Sequence, residues 1–303
     1  MSITDVKQLY GFKVIASLGT GARSTLYVVQ DPKSRELSTL KHVRLEDGDK
    51  DDRWLIQVEQ EYEIGSKVAH PAIRGVKQIF RSREGLKFWK RVEVGLLLEF
   101  VDGPSLDNLG LTSNRQAAGI FAQVARGLAH MHEKGFVHAD MKPNNILVTN
   151  DGVKVIDLGQ ACANGERKKR VQGTPGYIAP EQGHREPITG ATDIYNFGAT
   201  MYWTLVHDVI PTVVPPGSVD GAVKAIPTAS IRRADPPHLR NPSVHPDFGK
   251  LVLDCVEPQA GDRVSSMTEV AMRLEALESD LQHSPGGMSL KIPQMVSPVP
   301  ADL

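Results

Sequence analysis

The chain has 303 residues, 40% hydrophobic and 23% charged, with a formal net charge of -1. This allows a real core in one large domain or two lobes, and it provides no global field for nucleic acid, a membrane surface or an acidic ligand. Two cysteines, no basic-then-apolar leader, Ser2 where myristoylation needs glycine, and no membrane-length apolar run together predict a soluble cytoplasmic protein without a disulfide framework.

In chain order, Phe12 to Leu18 and Thr25 to Gln30 read as strands split by a Gly-rich turn, and Leu37 to Leu45 as a third. Trp54, Val58, Tyr62 and Val68 recur at helical spacing, ended by His70-Pro71. Strands resume over Val76 to Arg81 and Lys87 to Phe100. After Asp102-Gly103-Pro104 the character turns helical. Ala117 to Glu133 is strongly periodic and closed by Gly135. Ile146 to Thr149 and Val153 to Ile156 flank Asn150-Asp151-Gly152 as a hairpin. Thr192 to Val206 is apolar enough to be buried on all sides, and Asp247 to Val256 and Thr268 to Leu281 complete the helical half. The Pro/Gly/Ser-rich residues 284–303 can bury little and are expected to be a disordered tail.

Chemistry-bearing residues fall into a few groups. Gly19-Thr20-Gly21-Ala22-Arg23-Ser24 lies between two strands, where glycines let a hairpin backbone approach phosphate oxygens. It is not a P-loop, because no Gly-Lys-Ser/Thr follows. Lys41 ends the third strand, and Glu61 lies in the next helix. An ion pair between them would aim the ammonium at anionic phosphates. The segment His138-Ala139-Asp140-Met141-Lys142-Pro143-Asn144-Asn145, followed by Val155-Ile156-Asp157-Leu158-Gly159, offers carboxylate and amide oxygens suited to Mg²⁺, with Lys142 as a nearby cation.

At these residues the sequence resembles the protein kinase family over about Phe12 to Leu277. The resemblance implies a two-lobed α+β fold. Residues 1–11 would be an N-terminal extension, 12–98 a β-rich lobe with one key helix, 99–103 a hinge and 104–283 a larger helical lobe. It implies that Gly19, Thr20 and Gly21 cover the phosphates of ATP, and that Leu26, Thr39 and Leu147 line the nucleotide pocket. Lys41 would hold the phosphates with Glu61 as its partner, Glu59 and Glu63 being the alternatives. Leu98 would be the gatekeeper, and Glu99 and Val101 would belong to the hinge. Asp140 would be the catalytic-loop aspartate, assisted by Lys142, with Asn145 and Asp157 holding Mg²⁺ or Mn²⁺. Thr174, Glu181, Asp193 and Arg263 would order the activation segment and helical lobe, Arg263 by pairing with Glu181. Asp140-x-Lys142 and Gly173-Thr174-Pro175-Gly176-Tyr177 resemble serine/threonine kinases, the bacterial ones especially. A pseudokinase scaffold and a small-molecule kinase are the rival readings.

Several positions depart from the family. Ala139 replaces the arginine that grips an activation-loop phosphate, and Leu158 to Gly173 contains no Ser, Thr or Tyr. Ordering by phosphorylation of that stretch is therefore not expected. Ser24 replaces the third glycine, Thr39 an alanine and Leu158 a phenylalanine. Gly65 stands where the family has a large apolar residue, so a loosely docked Glu61 helix is expected, with low basal activity. Control would then come from a regulatory protein at that helix or from the tail. The partner expected at the active site is a protein bearing Ser or Thr. Arg167-Lys168-Lys169-Arg170 reads as a solvated face or an acidic docking surface, with no nucleic-acid or membrane partner expected. His130 and His132, two apart near a helix end, cannot share a face well enough for zinc, and His132 and His138 resemble packed family histidines.

Overall fold

β-branched and aromatic residues of the N-terminal third build one six-stranded antiparallel sheet. The computed structural model describes residues 7–21, 23–45, 52–84, 90–214, 225–283 and 290. The strands are β1 (Gln8–Leu9), β2 (Phe12–Thr20), β3 (Ser24–Gln30), β4 (Leu37–Arg44), β5 (Val76–Glu84) and β6 (Lys90–Glu99), in the order β1-β2-β3-β4-β6-β5. The sheet thus begins at Gln8, inside the expected 1–11 extension. Tyr10 explains why. Its ring stacks on Phe80 at 4.8 Å, and its hydroxyl donates to Glu93 Oε1 at 2.7 Å. A Cβ at Gly95 would overlap that ring, so glycine there makes room for it.

Helix α1 (Arg53–Gly65) crosses one face of the sheet. Its buried stripe is Leu55, Val58, Glu61 and Ile64, three residues apart. The expected line of Trp54, Val58 and Tyr62 is therefore rotated, with Trp54 and Tyr62 half-buried at its flanks. The helix also ends earlier than expected, at Gly65. There the Ser66 hydroxyl donates to Glu63 O at 2.9 Å, and Val68 is buried from outside the helix. The consequence for function is direct, because the stripe carries a carboxylate into the interior at Glu61.

Gly65 leaves no hole. A Cβ there would overlap Val76 Cγ2 and lie 3.5 Å from Leu158 Cδ1, so the last turn of α1 sits closer to β5 than any larger residue permits. The expected loose docking is replaced by close packing through the glycine. Gly65→Ala is accordingly expected to destabilise the protein by about 1–3 kcal/mol, because β-branched Val76 yields poorly and overpacking outweighs a helix-propensity gain of about 1 kcal/mol. A urea midpoint equal to or above that of the wild type would show that Val76 gives way.

The helical half is organised by α2 (Asn114–Glu133), α4 (Gly190–Val206), α6 (Pro246–Cys255) and α7 (Met267–His283). Phe121 of α2 meets Phe197 of α4 at 5.6 Å and Phe248 of α6 at 6.1 Å, edge to face, at the centre of the core. α4 is buried nearly all round, as its composition predicts. Short elements complete the lobe: α3 (Pro180–Gly183), α5 (Pro237–Arg240), and the pairs β7 (Phe136–Val137) with β10 (Cys162–Ala163), β8 (Ile146–Thr149) with β9 (Gly152–Val155), and β11 (Glu166–Arg167) with β12 (Pro187–Ile188). The expected tail 284–303 lies outside the described residues except for Leu290. That residue is buried, and its N–H donates to Thr112 O at 2.9 Å.

Candidate active site

Two elements of the small lobe and one loop of the large lobe converge on a single ion-pair relay. β4 delivers Lys41 and α1 delivers Glu61, whose Oε2 lies 2.6 Å from Lys41 Nζ. Asp157 Oδ1 lies 3.1 Å from the same ammonium. Burial works against the charge on Lys41, but the carboxylates of Glu61 and Asp157 overcome it and push its pKa above the ordinary lysine value. The Lys41 ammonium in turn holds Asp157 well below the usual carboxylate range. Glu59 and Glu63 are disposed of elsewhere, Glu59 on Arg81 at 2.6 Å and Glu63 on Lys67 at 2.8 Å. The register is therefore that of Glu61.

A second cluster lies on the loop between β7 and β8. Thr174 Oγ1 donates to Asp140 Oδ1 at 2.8 Å. Lys142 Nζ stands 2.9 Å from Thr174 Oγ1 and 3.2 Å from Asp140 Oδ2. Asn145 Nδ2 donates to Asp140 O at 2.8 Å, which leaves its amide oxygen as the group able to ligate. Asn145 O accepts from Ile156 N–H at 2.9 Å, so Asn145 and the residue before Asp157 are bonded neighbours. This donor set of one amide and one carboxylate oxygen fits Mg²⁺, which takes few protein ligands and fills the rest of its shell with water and phosphate. Among the described residues no cluster of three His, Cys, Asp or Glu could hold a metal.

The loop is held by strain that its surroundings over-determine. Ala139 and Asp157 adopt left-handed backbone, with φ of 62° and 63°. Asp193, in the first turn of α4 and fully buried, accepts from Ala139 N–H at 2.7 Å, His138 N–H at 2.9 Å and His132 Nε2 at 2.8 Å. Burial works to raise the pKa of Asp193, and the His132 and His138 contacts outweigh it, leaving it below its ordinary value. The histidines are thus packing and hydrogen-bonding groups.

The roof and back wall follow from strand register. Gly19, with φ of 143°, pairs across to Leu26, which pairs in turn with Lys41, and Thr20 lies opposite Thr25. Gly21 N–H closes the turn on Ser24 O at 2.7 Å. Thr39 and Leu98 face one another, both buried. Glu99 ties the strand end down: its carboxylate accepts from Gly75 N–H at 2.8 Å and pairs with Lys154 at 2.8 Å. Val101 follows as half-buried connecting chain, and Leu147 bridges to Ser105 opposite.

A sequence model described as the protein kinase domain matches residues 12–274. The chain belongs to the protein kinase family. It is 26% identical over 281 residues to a probable serine/threonine-protein kinase of Clostridium acetobutylicum, covering 89% of this chain and 40% of that one. It is 27% identical over 272 residues to a probable serine/threonine-protein kinase of Streptomyces coelicolor, covering 86% and 38%. It is also 26% identical over 268 residues to serine/threonine-protein kinase PknB of Mycolicibacterium smegmatis, covering 84% and 40%. The chain therefore spans about two-fifths of the length of these curated relatives. No helix among the described residues is long and apolar enough to cross a membrane.

The activation segment of this kinase domain carries features that the sequence reading missed. Gln182 Nε2 donates to Ala139 O at 2.8 Å, while its Oε1 accepts from Ala179 N–H at 2.9 Å and Asn196 Nδ2 at 2.8 Å. One amide thus links the catalytic loop, the segment's end and α4. The only signal for it was its place after Ala179-Pro180-Glu181. Backbone pairing of β10 with β7 and of β11 with β12 anchors the start of the segment on both sides. Two-residue strands have no readable period. Arg263 grips Glu181, the pair that the resemblance implies, through two bonds of 2.7 and 2.9 Å in the buried interior. Cys162, within β10, is fully buried, and burial pushes its thiol up to about 12, which disfavours the reactive thiolate.

Proposed function

We propose that the chain is an active serine/threonine protein kinase, transferring the γ-phosphoryl group of ATP to hydroxyls of protein substrates without phosphorylation of its activation segment. The observation that carries this reading is the relay of Lys41, Glu61 and Asp157 at 2.6 and 3.1 Å. A domain kept only as a scaffold has no need to hold a buried cation between two carboxylates drawn from both lobes.

In this reading Lys41 positions the α- and β-phosphates beneath the Gly19–Gly21 turn, and Glu61 keeps its ammonium from swinging out. Asn145 and Asp157 would hold Mg²⁺, or Mn²⁺ in its place, which when bound would supply charge neutralisation on the phosphates. Asp140 orients the acceptor hydroxyl and takes its proton, while Lys142 follows the charge that develops on the transferred group. Thr174 joins Asp140 and Lys142, linking the activation segment to the reacting groups. Thr39, Leu26, Leu98, Val101 and Leu147 enclose the adenine. The segment needs no phosphate clamp because β11, β12 and Gln182 hold it.

The test is transfer of radiolabelled phosphate to a generic basic protein, with phosphoamino-acid analysis. Phosphoserine and phosphothreonine are expected, with a requirement for Mg²⁺ or Mn²⁺, indifference to a zinc-selective chelator, and loss of about 10²–10⁴-fold in Asp140→Asn. Equal labelling by Asp140→Asn, or phosphotyrosine alone, would overturn the assignment.

A further inference from the structure

Between α1 and the activation segment lies an open cleft of about 500 Å³ outside the site described above. Among its described lining residues, Arg53 of α1 and Arg167, Lys168, Lys169 and Arg170 of the segment set five cations against one carboxylate, Glu166. Glu166 is already paired with Lys168 at 3.0 Å, and Arg167, Lys169 and Arg170 are exposed. Like charges gathered around a concavity repel one another and create a focused positive potential. The segment has no Ser, Thr or Tyr from Leu158 to Gly173 that could carry a phosphate of its own into this potential. The α1 wall also presents Ile56, 54% exposed, as an apolar contact beside the cations.

We propose that this cleft receives an acidic segment of a partner protein, with one apolar side chain set against Ile56. The volume suits a few side chains, and the cations line a gap between a helix and a loop instead of the extended basic face that nucleic acid requires. Binding there is also placed to affect the site. Gln60 Nε2 of α1 already donates to Ala161 O of the segment at 2.8 Å. An acidic segment bound between Ile56 of α1 and Lys169 adds a second tie between the same two elements, and α1 is the helix that carries Glu61. This coupling rests on the phosphotransfer reading; the binding itself does not.

The test is fluorescence anisotropy with a fluorescein-labelled peptide of six glutamates around one leucine, titrated with the full chain at low ionic strength. Binding is expected to weaken with salt, to fall at least about tenfold in Lys169→Glu combined with Arg170→Glu, and to fall by a smaller factor in Ile56→Asp. Arg232→Glu with Arg233→Glu, at side chains 76% exposed on the helical lobe, should leave it unchanged. Unaltered affinity in the cleft variant, equal loss in the control, or tighter cleft-dependent binding of a single-stranded oligonucleotide would overturn the assignment. Saturating peptide is expected to raise the phosphotransfer rate of the wild type but not of the cleft variant, and no rise would overturn the coupling. An inactive enzyme that still binds the peptide through the cleft would remove the kinase reading and leave the cleft assignment standing.

Discussion

Lys41→Met and Asp157→Ala are each expected to reduce phosphotransfer by about 10³-fold or more, because each removes a charge aimed at the phosphates or their metal. The two variants should differ in stability. Asp157 has a side chain 41% exposed, so its removal leaves little uncompensated. Lys41 is the partner of Glu61, which is 1% exposed, and Lys41→Met strands that carboxylate in the interior. A loss of about 1–3 kcal/mol is therefore expected for Lys41→Met, with the protein still folded, and a smaller loss for Asp157→Ala. Parallel urea melts and initial-rate assays measure both. Retention of most of the activity by either variant would remove the nucleotide site from where it is drawn here.

The largest stability effect is expected at the buried pair far from the nucleotide. Arg263 has a fully buried side chain. It bonds both Glu181 oxygens and donates to the carbonyls of Ala191, Glu257 and Pro258, with its guanidinium 4.9 Å from the Tyr195 ring. Arg263→Ala leaves a buried carboxylate and three carbonyls without their donor, and should cost about 3–5 kcal/mol. Glu181→Gln keeps the shape and the Thr192 hydroxyl bond at 2.9 Å, and should cost less. Because Glu181 ends the activation segment, Arg263→Ala should also lower activity at temperatures where the protein remains folded. A melting curve indistinguishable from the wild type would show that this pair is dispensable.

Much of this was legible in the sequence for physical reasons. Asp140, Asn145 and Asp157 stood out because carboxylates and an amide on loops flanking a short hairpin offer oxygen ligands and a base, and the resemblance to the kinase family implied which was which. Glu61 could be named but not placed, because periodicity suggested the Trp54 and Tyr62 face, whereas the observed stripe runs through Leu55, Val58 and Ile64. Gly65 was misread because a missing side chain looks like a void until the packed neighbour, Val76, is seen. The start of α2 was placed three residues late, although Ser113 accepting from Gln116 N–H at 3.1 Å is a cap with a sequence signature. Tyr10 packing over Gly95 and the two-residue strands of the activation segment left no local pattern, since each depends on a partner distant in the chain.

The central claim is an active site assembled without phosphate on its activation segment. It is tested most directly by comparing the initial rate of phosphotransfer before and after exhaustive phosphatase treatment, with mass spectrometry verifying that the second sample is phosphate-free. The expected result is a nearly unchanged rate, because Leu158 to Gly173 offers no acceptor, Ala139 offers no clamp, and β11, β12 and Gln182 already hold the segment. Thr174 follows that stretch directly and bonds Asp140 and Lys142 through its hydroxyl, so Thr174→Ala should impair catalysis without resembling dephosphorylation. A large fall in rate that tracks removal of phosphate from Thr174 would contradict the account.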